Sequence, residues 1–156
     1  MGEYNFKSVG QTRTQRQERK LTRAPGAIGI KTPLRPGFDK GRFAVNYSLA
    51  DQMHDNVRNL LLTNWGERLG TYDHGANLRP LLAEFVGLDD FDAKAVERIN
   101  AAVGRWMPFI SLDSFLSEVN RNENTNGLAA ITITITYNIP SLNVVGRVLE
   151  LTLWAM

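Results

Sequence analysis

The chain contains no cysteine and only two histidines, so disulfides, thiolate metal sites and a thiol nucleophile are excluded from the start. Stability must come from packing. His54 and His74 are twenty positions apart, with no zinc-type spacing around them, so neither metal nor cofactor is implied. No apolar run approaches the roughly 20 residues that span a bilayer, and the basic N-terminus lacks the apolar stretch of a secretory signal. The chain reads as soluble, unexported and without a membrane partner. It also has no phosphate-cradling Gly-Lys motif, nucleophile elbow or internal repeat, and the stretch from Gly66 to Gly75 lacks the preceding strand and following helix that nucleotide loops need. Nucleotide chemistry is set aside.

What the 156 residues do have is 43% hydrophobic content, enough for one globular core, and a lopsided charge. Ten Lys or Arg against three acidic residues fall before position 43, while eight basic and thirteen acidic residues follow. A basic arm thus precedes an acidic body. The arm, taken as residues 1–45, carries Gly10, Pro25, Gly26, Gly29, Pro33, Pro36, Gly37 and Gly41, and no steady apolar period. It is expected to be extended. Arg13, Arg16, Arg19, Lys20 and Arg23 fit one short basic helix that would order on a partner, and a solubilising disordered tail explains the same composition. The aromatic residues Tyr4, Phe6, Phe38 and Phe43 flank this cluster instead of interleaving with it, which argues against a stacking platform for nucleic acid.

The body, residues 46–156, opens with a helical period. Ser48 is placed as N-cap, Leu49, Met53, Val57, Leu60 and Leu61 recur on one face, His54 falls on the polar side, and the helix ends near Thr63. A second helix is expected from an Asn77 cap, with Pro80 in its first turn, Leu78, Leu81, Leu82 and Phe85 inward, and Gly87 at its close. Asp90 or Asp92 caps a third, whose inward set is Ala95, Val96, Ile99, Ala102, Val103 and Trp106, stopped by Pro108. A first strand follows over Phe109 to Val119, with Ile110, Leu112 and one of Phe115 or Leu116 inward. Two strands then end the chain as a β-hairpin. The order predicts an α+β fold: three helices, then a three-stranded antiparallel sheet.

In that hairpin, Ile131, Ile133 and Ile135 alternate with Thr132, Thr134 and Thr136, so one face seeks a core while the other meets water. Both strands, Ile131 to Thr136 of the first and Val148, Glu150, Thr152 and Trp154 of the last, are expected to take part in strand addition. A terminal hairpin leaves an edge unless something covers it, and such an edge can pair with a strand of another chain.

The candidate for catalysis is Glu67 with Asp73 and His74 in the glycine-rich loop, and Glu84 beyond it. Two carboxylates divide acid and base roles only if their surroundings separate their pKa values. No motif fixes such a geometry here. Glu67 beside Arg68, and Asp73 beside His74, serve equally well as loop-organising groups.

The stretches Thr63-Asn64-Trp65-Gly66-Glu67-Arg68, Gly75-Ala76-Asn77-Leu78-Arg79-Pro80-Leu81-Leu82-Ala83-Glu84, Ile99 to Val103 and Pro108-Phe109-Ile110 resemble the baseplate wedge family of contractile phage tails. Its members are called sheath initiators, and relatives occur in type VI secretion. Gly66, Glu67 and Arg68 match the family's Gly-Glu-Arg turn, Gly75 its next glycine, and Leu82 and Glu84 the following helix. Where the family has Glu-Pro-Arg for contact with the wedge's helical bundle, this chain has Met107-Pro108-Phe109, which implies a more hydrophobic contact or a divergent member. The family's lysozyme-like label is discounted. The resemblance implies a structural baseplate protein of the virion, assembled in the host cytoplasm, that starts the sheath by strand addition. Its implied partners are the tail sheath protein, other wedge proteins, and tube or hub proteins through the arm. It implies neither enzymatic activity nor a cofactor.

Overall fold

The computed structural model describes residues 26–37, 43–83, 88–120 and 130–154, and all statements below concern these. Three helices precede a three-stranded antiparallel sheet, as the sequence pattern predicts. Ahead of them lies a short ribbon, β1 (Gly29–Ile30) paired antiparallel with β2 (Val45–Asn46). The basic cluster from Arg13 to Arg23 falls outside the described residues.

Helix α1 (Leu49–Leu62) buries Val57, Leu60 and Leu61. Leu49, expected inward, is 46% exposed, because the core begins one turn further along the helix. Ser48 occupies the cap position with extended backbone, but its hydroxyl caps nothing. Helix α2 is described over Arg79–Ala83, where it buries Leu81 and Leu82, and the expected inward Phe85 and closing Gly87 lie outside the described residues. Asn77 is not its cap: the Asn77 backbone is left-handed, at φ 52°, and the Arg79 N–H donates instead to Oδ1 of Asn64, 3.2 Å away. Helix α3 (Leu88–Trp106) starts ahead of both Asp90 and Asp92, and buries Phe91, Ala95, Ile99, Ala102 and Val103.

The sheet runs β3 (Ser111–Asn120), β4 (Ala130–Ile139) and β5 (Val144–Trp154), in that spatial order. A 3₁₀ turn, Pro140–Leu142, joins the last two. Strand β3 shifts register between Leu112 and Ser114, which removes Asp113 from the pairing and leaves Phe115, not Leu116, against the core. Ile131, Ile133, Ile135, Tyr137 and Ile139 of β4, with Leu149, Leu151 and Leu153 of β5, form the inner face. At about 2–3 kcal/mol for each buried large side chain, this face is the main stabilising surface. The helices cover one side of the sheet only. The other carries Leu116, Thr132, Thr134, Thr136, Val148, Glu150, Thr152 and Trp154.

Candidate functional site

Strand β4 is paired with β3 on one side and β5 on the other along nearly its whole length. Ile131, Thr132, Ile133, Thr134, Ile135 and Thr136 therefore have their backbone groups committed within the sheet. The hairpin forms as predicted, and the meander places the first strand against β4, so among the described residues β3 and β5 are the strands with an unpaired side. Strand β5, 11 residues against 10, is the longer of the two. Each carries one register shift against β4, and pairing is continuous from Arg147 to Trp154 on β5 and from Ser114 to Asn120 on β3. Few of the devices that guard an edge are present on β5: Gly146 and the charges of Arg147 and Glu150 are its share, and it has no proline. Arg147 is already engaged with Asp51 of α1, at 2.6 Å. The outer face beside this edge presents Val148 and Trp154, each about half exposed.

The second candidate is the loop from Asn64 to Leu78. It leaves the end of α1 and returns to it: the N–H of Ala76 donates to the Leu60 carbonyl and that of Asn77 to the Thr63 carbonyl. Gly75 makes this return possible. Its φ is 114°, and a Cβ there would lie 2.1 Å from the Thr63 carbonyl oxygen. Gly66 also has a positive φ, of 85°, and its N–H reaches the Tyr72 carbonyl at 2.7 Å. Asn64 joins the parts, since its backbone and side-chain N–H groups each donate to the Glu67 carboxylate at 2.8 Å while its Oδ1 receives the α2 N–H. The Arg68 carbonyl accepts from Thr71, and its side chain lines a cleft. The closed loop holds Trp65, Leu69 and Tyr72 out in solvent, Leu69 at 92% exposure.

This arrangement opposes the glycosidase reading. The two bonds from Asn64 hold the Glu67 carboxyl below its usual pKa, whereas a general acid needs it raised. Glu67 lines a cleft of about 830 Å³ with Thr71 and His74. Asp73 instead ion-pairs with Arg105 and lines a separate cleft of about 480 Å³ between Trp65 and Trp106. The two carboxylates do not face a common space. The His74 ring packs on Trp106, with centroids 5.0 Å apart, and burial lowers its pKa. Glu84 lies outside the described residues. Among the described residues no group of His, Asp and Glu is arranged to hold a metal.

Of the Met107-Pro108-Phe109 triplet, Met107 belongs to the core, and its N–H continues α3 by donating to Val103. Pro108 and Phe109 are exposed, Phe109 at 44%. The apolar replacement thus divides between the protein's own interior and solvent.

Two polar groupings were not anticipated. Asp55, 5% exposed, accepts from the Thr32 N–H at 3.0 Å and from Asn46 Nδ2 at 2.6 Å, fastening the β1–β2 ribbon to α1. His54, expected on the polar side, turns toward the sheet with Nδ1 2.8 Å from the buried Tyr137 hydroxyl. Burial, then Arg147, lowers the His54 pKa, and burial raises that of Tyr137. A polar residue on a helix face gives no sign of an acceptor waiting in a distant strand.

No protein-family model matches the sequence, and no curated protein matches it. Solved structures do. A chain of the anti-feeding prophage baseplate aligns with a TM-score of 0.56 at 20% identity, over 73% of this chain and 85% of that one. A Geobacter sulfurreducens protein with a tail-lysozyme designation aligns at 0.47 and 22% identity, over 69% and 89% of the two chains. A chain of the post-contraction pyocin R2 baseplate aligns at 0.42 and 17%, over 78% and 95%. The first of these establishes a shared fold.

Proposed function

We propose that this chain is a structural, non-enzymatic subunit of the baseplate of a contractile tail or injection machine, and that the free edge of β5 receives a strand of the sheath protein to start the sheath. The carrying observation is the β5 edge, uninterrupted from Arg147 to Trp154 and lightly guarded. Main-chain bonds to such an edge fix register, and alternate side chains select the partner. The fold shared with an anti-feeding prophage baseplate chain supports the setting. The lowered Glu67 pKa and the separation of Glu67 from Asp73 speak for a scaffold over a glycosidase. Gly66, Glu67, Arg68 and Gly75 act in this reading as organisers of a rigid loop. That loop and Phe109 would face neighbouring wedge proteins.

Because the chain lacks cysteine, one introduced thiol labels one place. A photo-crosslinker on Thr152→Cys is expected to capture the sheath protein encoded in the same genome, and the same probe on Leu116→Cys, in β3, to capture far less. Capture at Leu116 with none at Thr152 would transfer the contact to the other edge and reject β5. The basic cluster Arg13, Arg16, Arg19, Lys20 and Arg23 is proposed to anchor the subunit to tube or hub proteins. Removing residues 1–25 should leave thermal unfolding unchanged and reduce incorporation into baseplates; equal incorporation would dismiss the anchoring role.

A further inference from the structure

Beside the start of β5 lies a polar recess of about 330 Å³, built from three elements: Lys31, Thr32 and Arg35 from the ribbon segment, His54 and Arg58 from α1, and Arg147 from β5. Four Lys or Arg side chains border it against two carboxylates, Asp51 and Asp55. Both carboxylates are already satisfied. Asp51 pairs with Arg147, and the buried Asp55 oxygen receives the Thr32 N–H and Asn46 Nδ2. Among the described residues Lys31, Arg35 and Arg58 make no ion pair. The Thr32 hydroxyl is buried there with no hydrogen-bond partner. Unpaired cations around an unsatisfied donor favour an anion. Burial, then Arg147, lowers the His54 pKa, so the positive charge of the recess comes from its Lys and Arg side chains.

We infer that this recess seats a carboxylate side chain, Asp or Glu, carried at the end of the strand that β5 receives. The inference rests on the β5 reading and adds a selectivity element to it. Arg147 connects the two, since it is a residue of the edge strand and a wall of the recess. A partner strand paired from Trp154 to Arg147 covers about 25 Å at roughly 3.4 Å per residue, and its next residues then pass the ribbon and α1. An acidic residue at that point meets Lys31 and Arg58. A strand displaced by two residues would keep the backbone pairing and lose this contact. The recess thereby defines where the added strand ends.

The test uses the full chain and the sheath protein of the same genome, with binding measured across a salt series. Lys31→Gln with Arg58→Gln is expected to weaken binding roughly tenfold at low salt and to flatten the salt dependence. The Thr152→Cys crosslink should persist at higher protein concentration in the double variant. Replacing acidic residues beside the crosslinked sheath segment with Gln or Asn should reproduce the loss, without adding to that of the double variant. Unchanged affinity and salt slope with the crosslink retained would overturn the carboxylate seat alone. Absence of the crosslink from the chain altered only by Thr152→Cys would overturn the β5 reading itself. Matching thermal unfolding of the variants excludes a folding defect as the cause.

Discussion

Gly75 and Gly66 share a loop and a positive φ, yet their demands differ. At Gly66 the space around a Cβ is empty, so alanine meets only the backbone penalty of about 1 kcal/mol. At Gly75 the same penalty is joined by a collision with the Thr63 carbonyl, which already accepts from Asn77. Denaturant unfolding is expected to show Gly75→Ala costing about 3 kcal/mol or more and Gly66→Ala about a third of that; equal costs would mean that the loop does not close on α1. The sequence exposed the glycines as turn residues. It did not distinguish them, because close approach of a distant carbonyl leaves no local mark. Asn64 shows the same limit. It stands in the Asn64 to Arg68 stretch as an ordinary loop residue, and only its hydrogen bonds to Glu67 and Arg79 reveal that it joins loop and helix.

At the scale of elements, long periodic segments were legible and short or shared ones were not. The alternation of isoleucine and threonine in β4 and the apolar faces of α1 and α3 are period signals, which survive folding because burial enforces them. The cap of α2 is supplied by Asn64, fifteen residues before Arg79, and no local rule reads that. Whether a strand lies inside a sheet or at its edge is likewise a property of pairing. Thr134 alternates as an outer-face residue should, but it pairs with Leu116 and Glu150 at once, so a proline there would break two ladders and the fold with them. The ribbon illustrates a hidden element. Gly29–Ile30 and Val45–Asn46 are too short to stand alone, and Asp55 fastens them to α1. Asp55→Ala leaves the Thr32 N–H and Asn46 Nδ2 without that acceptor, a loss of about 1–3 kcal/mol. Amide exchange should accelerate at Lys31, Thr32 and Ala44 while β4 stays protected. Unchanged exchange at Thr32 would show that the ribbon is held by something else.

On the scale of the whole molecule, the two layers divide the work. Helices α1 and α3 seal one face of the sheet and leave the β5 edge and the threonine face toward solvent. The loop and Phe109 present a separate apolar surface near the end of α3. Two separate surfaces of this kind suit the proposed role in assembly. The sequence resemblance pointed to this class through the Gly66 to Arg68 turn and the closing strands, and the fold shared with a baseplate chain agrees with it. The proposal that β5 receives the strand rests on the strand order, which the sequence does not carry. The most direct measurement is negative-stain microscopy of sheath protein added to baseplates prepared with and without this chain. The account predicts ordered sheath rising only from baseplates that contain it, with Thr152→Lys, a charge beside the β5 edge, suppressing growth without removing the subunit. Equal sheath growth from baseplates lacking the chain would contradict it.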